Sequence, residues 1–206
     1  MCGMNKRRVL VLALAVCLTA ILAIGGTLAY FTDQDSATNT FTIGAGVSID
    51  LFEHNADGTE VDARTYSNVV PGVAYDKDPT VRNIGSSDAW IRVNVTLTRY
   101  SVFKAAAKEY GVTDLSTIFG GHDESRWTRA GITEGTDSIT YSYYYNTVLA
   151  PEEVTAPLFT SVTIPGVFTV EDLDGLSSFE IQITADAIQK DPFTSAAEAF
   201  RAFDAD

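Results

Sequence analysis

Apolar and polar residues alternate singly in several stretches of the chain, most clearly between residues 90 and 98. One face of this stretch carries Ile91, Val93, Val95 and Leu97, and the other carries Arg92, Asn94, Thr96 and Thr98. This period of two predicts a half-buried β-strand. The same alternation occurs in Phe41 and Ile43, in Val47, Ile49 and Leu51, in Val162 and Ile164, and in Phe179, Ile181 and Ile183. Tyr141, Tyr143 and Tyr145 alternate with Tyr144 on the other side, which predicts an aromatic strand with its phenol groups at a wet edge.

Turn-forming residues separate these runs and predict an antiparallel β-sandwich. They are Asp57-Gly58, Pro71-Gly72, Gly85-Ser86-Ser87, Gly120-Gly121 and Pro165-Gly166. One helix is predicted over about 102–110, ended by Gly111, and a second over about 195–203, where Ser195 and Glu198 have the spacing of a capping box. The second helix places Ala196, Ala199, Phe200 and Phe203 on one stripe, which we expect to pack on the sheet. Residues 111–137, rich in Gly, Asp and Thr, look like an insertion.

The N-terminus has the pattern of an export signal. Lys6, Arg7 and Arg8 precede an almost unbroken apolar run over 9–24, which is shorter than the roughly 20 residues that span a bilayer core. Gly25-Gly26 ends the run, and 27–29 supplies the small residues that a signal peptidase reads. We predict a signal peptide over 1–29, cleaved between Ala29 and Tyr30; the alternative is an uncleaved membrane anchor. The mature chain would comprise an N-terminal segment, 30–46, and one domain, 47–206.

Charge and cysteine content describe the mature chain further. Loss of the three positive charges of the signal takes the net charge from −13 to −16. Such an acidic protein is not attracted to nucleic acid or anionic lipid, so we expect no nucleic-acid partner and contact with a membrane only during export. Cys2 and Cys17 both lie in the signal, which leaves the mature chain without thiols or disulfides.

Several blocks of the sequence resemble the TasA/camelysin family, exported proteins of Gram-positive bacteria whose signals are cut by a SipW-type peptidase. The resembling residues are Gly25 to Asp33, Ala37 to Phe41 leading into Val47 to Leu51, Val70-Pro71-Gly72, Val81 to Gly85, Ala89 to Val93, and Ile183 to Gln189. The signal motif is the most specific of these blocks, and residues 100–175 match only loosely.

The resemblance implies a secreted jelly-roll-like β-sandwich that, in the fibre-forming members, polymerises as biofilm matrix. In those members the mature N-terminal segment of one subunit completes the sheet of the next. Carried onto this sequence, the donor would be about 30–43, with Tyr30, Phe31, Phe41 and Ile43 as the polymerisation residues. The implied partners are further copies joined head to tail, the SipW-type signal peptidase and an accessory matrix protein. The alternative is that 30–43 folds back as the first strand of its own domain.

Camelysins are named for metalloprotease activity, but the sequence carries no zinc-protease motif. It has no H-E-x-x-H, and its two histidines, His54 and His122, stand apart beside acidic or turn residues. We interpret both as surface loop residues, although a zinc site built from the two and a carboxylate stays open. No G-x-S-x-G elbow is present either. We therefore expect no catalytic residue, no metal and no cofactor.

Two further patterns allow a binding role as well as a structural one. Glu53, Asn55, Asp57 and Gly58 have the spacing of the opening of a calcium loop, but Arg64 stands where such a loop needs glutamate, so a hairpin turn is favoured. The aromatic residues that could stack carbohydrate are Trp127, Tyr141, Tyr143 and Tyr145; packing is the alternative. The functional hypotheses are a fibre-forming matrix protein, a monomeric surface module that binds glycan or protein, and a camelysin-like protease.

Overall fold

The structure is a computed structural model and describes residues 32–36, 46–169, 171–172 and 179–205. Within these residues the chain is mainly β, with antiparallel sheets and two α-helices. The strands are β1 Thr32–Ser36, β2 Ile49–His54, β3 Glu60–Val61, β4 Ala74–Asp76, β5 Thr80–Asn83, β6 Ala89–Thr98, β7 Phe119–Gly120, β8 Trp127–Glu134, β9 Ser138–Tyr145, β10 Ser161–Thr163 and β11 Ile181–Gln189. The helices are α1 Tyr100–Glu109 and α2 Ala196–Phe203.

The largest sheet has five strands in the order β1-β11-β6-β9-β8. Its central strand β6 is the one predicted at residues 90–98, and its register with β11 runs from Ile181 opposite Leu97 to Gln189 opposite Ala89. The alternation predicted for β6 is confirmed, since the apolar side chains at 91, 93, 95 and 97 are buried and the polar ones between them are partly exposed.

Two smaller sheets, β3-β2-β5 and β4-β10-β7, share the core with the first. Backbone hydrogen bonds join these two smaller sheets to each other. β4 and β5 follow one another in a single extended segment, 74–83, which pairs along its length with residues 153–164. The Lys77 amide donates to the Thr160 carbonyl at 3.2 Å, and the Leu158 amide donates to the Pro79 carbonyl at 3.0 Å. The predicted mainly-β antiparallel sandwich is confirmed; its jelly-roll connectivity and the signal helix stay predictions.

Helix α2 covers the outer face of the large sheet, as its apolar stripe predicts. Ala199 and Phe200 are fully buried, and the Phe200 ring stacks on Tyr144 with 5.4 Å between centroids. The Ser195 hydroxyl caps the helix by accepting from the Glu198 amide at 3.3 Å. The Glu198 carboxylate accepts from the amide and the hydroxyl of Thr194. The cap therefore involves one residue more than the predicted box.

Helix α1 begins at Tyr100, two residues before the predicted start. The Asp137 carbonyl accepts from the Tyr100 amide at 3.2 Å, and its carboxylate accepts from the Ser101 amide at 2.9 Å. A residue remote in sequence thus satisfies amides at the open end of the helix. Gly111, at φ +70°, follows the helix as predicted.

Residues 111–137 contribute to the core. Leu115 and Ile118 are buried in a short 3-10 turn, and the segment also supplies β7 and β8. That this segment is an insertion stays a prediction. Neither described helix is long and apolar enough to cross a membrane.

Candidate functional site

The outer edge of the five-stranded sheet is formed by the strand nearest the N-terminus. β1 pairs antiparallel with β11, from Thr32 opposite Ile188 to Ser36 opposite Thr184. In this single chain, residues 32–36 are thus the first strand of their own domain, which is the alternative to donation. Donation to another copy stays a prediction. The predicted cleavage residues Ala29 and Tyr30, and the predicted plugs Phe31, Phe41 and Ile43, lie outside the described residues.

β11 is held in place independently of β1. Its other side pairs with β6 over its whole length, and its side chains from Ala185 to Ile188 are buried. An edge strand fixed in this way would keep its backbone N–H and C=O groups aligned if β1 left, and would present them as a template for another strand.

A buried ion pair locks β11 to β6 and to α2. The Arg92 guanidinium donates from Nε to Asp186 Oδ2 at 2.7 Å, and from Nη1 to both Asp204 oxygens at 2.8 Å. Asp186 is 3% exposed and also accepts from Asn94 Nδ2 at 3.1 Å. Burial acts to lower the pKa of Arg92, but the bonds to Asp204 and the charge of Asp186 outweigh it and raise that pKa. The Arg92 guanidinium also lies over the Phe200 ring at 4.7 Å.

The opposite edge of the sheet, β8, is poorly suited to accept a strand. Its side chains are exposed after Trp127, but its pairing with β9 is interrupted by a bulge between Arg129 and Gly131. Charged groups flank the bulge, with Arg129 bonded to Asp114 at 2.9 Å. Bulges and charges are the usual protection of a sheet edge against further pairing. The two sides of the sheet therefore differ. The pairing of β11 is regular, whereas the pairing of β8 is interrupted.

The aromatic residues proposed to stack carbohydrate belong to the core. Trp127, Tyr141, Tyr143 and Tyr145 are between 1% and 6% exposed. The wet-edge prediction for these tyrosines is wrong because β9 lies between β6 and β8, and their side chains face the other sheets. Trp127 Nε1 donates to the Ala156 carbonyl at 3.1 Å. The binding-module hypothesis thus lacks the exposed ring faces on which it depended.

The two histidines have separate local partners. His54 ends β2, and its Nδ1 lies 2.6 Å from Asp78 Oδ2, while its backbone amide donates to Asp78 Oδ1 at 2.9 Å. His122 lies in the turn after β7, with Nδ1 3.0 Å from the Leu158 carbonyl oxygen. No group of three potential metal ligands occurs in the part of the chain that the structure describes. The described residues therefore do not fit a catalytic zinc ion.

The segment with calcium-loop spacing is a β-hairpin, as predicted. The Gly58 amide donates to the Asn55 carbonyl at 2.9 Å, and β2 and β3 pair on either side of the turn. The first position of the pattern, Glu53, points into the core, where its carboxylate pairs with the buried ammonium of Lys77.

Sequence reasoning missed the ion pair that joins β11 to β6. Arg92 lies on the polar face of β6, and Asp186 lies among apolar and uncharged polar residues of β11. Each could therefore be interpreted as a residue exposed to solvent. The sequence signal for an ion pair was one charged residue inside each of two neighbouring strands, because a buried charge is rarely tolerated without a partner.

A comparison with family models supports the resemblance noted in the sequence. The model of the camelysin metallo-endopeptidase family matches residues 5–119, more than half of the chain and including the strands from β1 to β6. No curated protein sequence matches the chain, and no solved structure does. The resembling blocks from Gly25 to Val93 lie within this match, and this chain belongs to the camelysin metallo-endopeptidase family.

Proposed function

We propose that this protein is secreted as a structural component of the cell surface or extracellular matrix, and that it assembles into fibres by exchanging its N-terminal strand. β1 leaves the β11 edge of its own chain and pairs with β11 of the next copy. The family, whose members are typically extracellular or surface-associated, supports the location.

The observation that carries this proposal is the position of β1. It is the outermost strand of the sheet, and its only sheet partner among the described strands is β11. An exchanged strand would make the same backbone hydrogen bonds with a second copy, so little sheet pairing is lost in the assembled state. In the proposed arrangement each copy gives its strand to the copy ahead and receives one from the copy behind, so the contact is head to tail and extends a filament.

The protein would act without proteolytic chemistry. The family name points to a metallo-endopeptidase, so this part of the proposal needs its own test. Peptide hydrolysis that is abolished in a His54→Ala/His122→Ala variant, with the fold retained, would instead support a histidine-bound metal and the protease hypothesis.

The test of strand exchange uses the protein that begins at Tyr30, without a tag at that end. Negative-stain microscopy and sedimentation should show regular filaments, and removal of residues 30–43 should leave a folded monomer. A finer variant is Asp33→Pro/Gln34→Pro, because proline donates no backbone hydrogen bond and adjacent residues of an edge strand point their N–H groups in opposite directions.

The matched control is Asp33→Ala/Gln34→Ala, which removes the same side chains and keeps both amides. We expect filaments from the alanine variant and monomer from the proline variant, with the same far-ultraviolet circular dichroism for both. Filaments growing at the wild-type rate from the proline variant would show that β1 pairing is not the assembly contact.

A further inference from the structure

Two Pro-Gly turns lie side by side and form an exposed apolar tip. The Gly72 amide donates to the Ile164 carbonyl at 2.8 Å, and a Cβ on Gly72 would lie 3.3 Å from the Gly166 Cα. The side chains that project from this pair of turns, Val70, Val73 and Val167, are 45–53% exposed. We call these three valines the Pro-Gly tip.

A second exposed apolar patch consists of Ile84 and Val154, which are 46% and 42% exposed. Val154 forms a β-bridge with Arg82, which brings it beside the strand that leads to Ile84. We call this pair the Ile84 patch. It lies close to the start of the domain, because the Ile84 amide donates to the Ser48 carbonyl at 2.9 Å.

The Pro-Gly tip and the Ile84 patch lie at opposite ends of one ladder of backbone hydrogen bonds. The ladder starts where the Asn83 amide donates to the Glu153 carbonyl at 3.0 Å and continues to the bond between Gly72 and Ile164. The eleven residue steps of extended chain between these two bonds correspond to about 35 Å. Asn83 also donates through Nδ2 to the Leu149 carbonyl, and the same carbonyl accepts from the Ala89 amide. The Ile84 patch is therefore at the Ala89 end of β6.

The direction of β1 relates these two ends in an assembled pair. From Thr32 to Ser36 the strand runs away from the Ala89 end of the sheet, because Ile188 faces Trp90 and Thr184 faces Asn94. Ten residues later, Gly46 is back at the Ala89 end, where its carbonyl accepts from the amides of Ser86 and Ser87. Ten steps of extended chain reach about 35 Å at most.

Strand exchange would therefore bring unlike ends together. If β1 of one copy lay on β11 of the next, Ser36 would head for the far end of the acceptor. The helix α1 starts at that end of β6, and Tyr110, which follows α1, contacts Phe168 beside the Pro-Gly tip at 6.0 Å between ring centroids. The domain of the donor would then follow within nine residues, starting at Gly46 beside its own Ile84 patch. We infer that the Pro-Gly tip of one copy packs on the Ile84 patch of the next copy along the filament; this inference rests on the proposed function.

The distribution of charge fits this contact. The chain carries a net charge of −13, yet residues 67–75 and 154–170, which contain the whole Pro-Gly tip, include no charged residue. Contact between copies at this place therefore avoids bringing like charges together. Apolar side chains exposed at both ends of a domain also add buried area to each junction, as a filament contact requires.

Cysteine pairing tests the contact directly, because the mature chain from Tyr30 contains no native cysteine. Val167→Cys and Ile84→Cys would be made in separate proteins, mixed in equal amounts and oxidised under assembly conditions. Random collision gives as much disulfide-linked heterodimer as both homodimers together, so we expect heterodimer well above that share. Ile132→Cys, 50% exposed on β8, is the matched control and should stay at the random share with either partner.

Each outcome decides the inference separately from strand exchange. Filaments without preferential pairing of the Val167→Cys and Ile84→Cys proteins would overturn the inference and leave strand exchange standing. Preferential pairing of the Val167→Cys protein with itself would do the same. Preferential heterodimer with filaments that persist in the Asp33→Pro/Gln34→Pro variant would support the contact and refute strand exchange. Absence of both filaments and preferential pairing would refute both.

Charge insertion gives a second measurement on the same contact. Val167→Asp and Ile84→Asp should each stop filament growth while the monomer keeps its thermal midpoint, because both side chains are half exposed in the monomer. A mixture of the two variants retains one intact tip and one intact patch and should yield dimers. Long filaments from either variant alone would contradict the inference, and Ile132→Asp should assemble like the wild type.

Discussion

Removal of the Lys77 ammonium should destabilise the protein more than removal of any exposed charge. Lys77 Nζ bonds Glu53 Oε1, and the two side chains are 8% and 5% exposed. The second carboxylate oxygen, Glu53 Oε2, is buried without a hydrogen-bond partner. In Lys77→Met the glutamate would be left as an uncompensated buried charge, and breaking such a pair costs about 3–5 kcal/mol.

This loss should be large enough to measure by both chemical and thermal unfolding. For domains of this size, 1 kcal/mol corresponds to roughly 2–4 °C in the thermal midpoint, so Lys77→Met should lower the midpoint by about 6–20 °C. Urea unfolding at pH 7, followed by circular dichroism, would give the free energy of unfolding. The m value should stay unchanged, because the surface exposed on unfolding is the same.

The double variant Glu53→Leu/Lys77→Met separates the buried charge from the lost contact. Replacement of a whole buried pair by apolar residues is often neutral or stabilising, so the double variant should recover most of the loss. The matched control is Lys104→Met, which breaks the 2.7 Å pair with Glu134, where the side chains are 58% and 53% exposed. This change should cost less than about 1 kcal/mol. A double variant no more stable than Lys77→Met, or equal losses for Lys77→Met and Lys104→Met, would show that the buried charge of Glu53 does not cause the loss.

Three other predictions concern acid, alkali and a turn. Burial acts to raise the pKa of Asp114, but hydrogen bonds from Ser116 outweigh it and lower that pKa. The stability that the ionised carboxylate contributes is present above the carboxyl's unfolded pKa and is lost as pH falls through the folded value. The urea midpoint of Asp114→Asn should therefore lie below that of the wild type at neutral pH, with a gap that closes in acid. Burial raises the pKa of Tyr141. In an absorbance titration with alkali, the wild type should therefore show one more phenol that ionises slowly, as the protein unfolds, than Tyr141→Phe. The stability linked to this phenol is lost as pH rises above its unfolded pKa. Gly72→Ala should lower the thermal midpoint more than Gly58→Ala, because both glycines have positive φ but only Gly72 faces another backbone, at 3.3 Å.

Strands with one buried face were predictable from sequence because their pattern is local. β6 alternates without a break, and the helix at Ala196–Phe203 shows both its stripe and its cap residue. The tyrosines of β9 were predicted correctly on alternating faces. The prediction of a wet edge failed because β8 pairs with β9 on its outer side, so β9 is not an edge strand. Residues 111–137 look polar, so their contribution of β7 and β8 was not visible in the pattern.

The pairing of β1 with β11 could be predicted only in part. The resemblance identified both the N-terminal segment and the last strand, Ile183 to Gln189, but no local pattern pairs residues that lie about 150 positions apart in sequence. The same holds for the Pro-Gly tip. Each Pro-Gly turn is evident alone, whereas the contact between Gly72 and Gly166 depends on the ladder between β4 and β10.

The short connection between β1 and Gly46 favours pairing within one chain over exchange between chains. A strand tethered by nine residues meets its own β11 at an effective concentration in the millimolar range. The strand of a second copy, dissolved at micromolar concentration, is outcompeted by about a thousandfold. Dilute protein would therefore remain mostly monomeric. Under the proposed strand exchange, growth would begin where copies are crowded, as at the point of export, or where an existing filament end supplies the additional contacts of a junction.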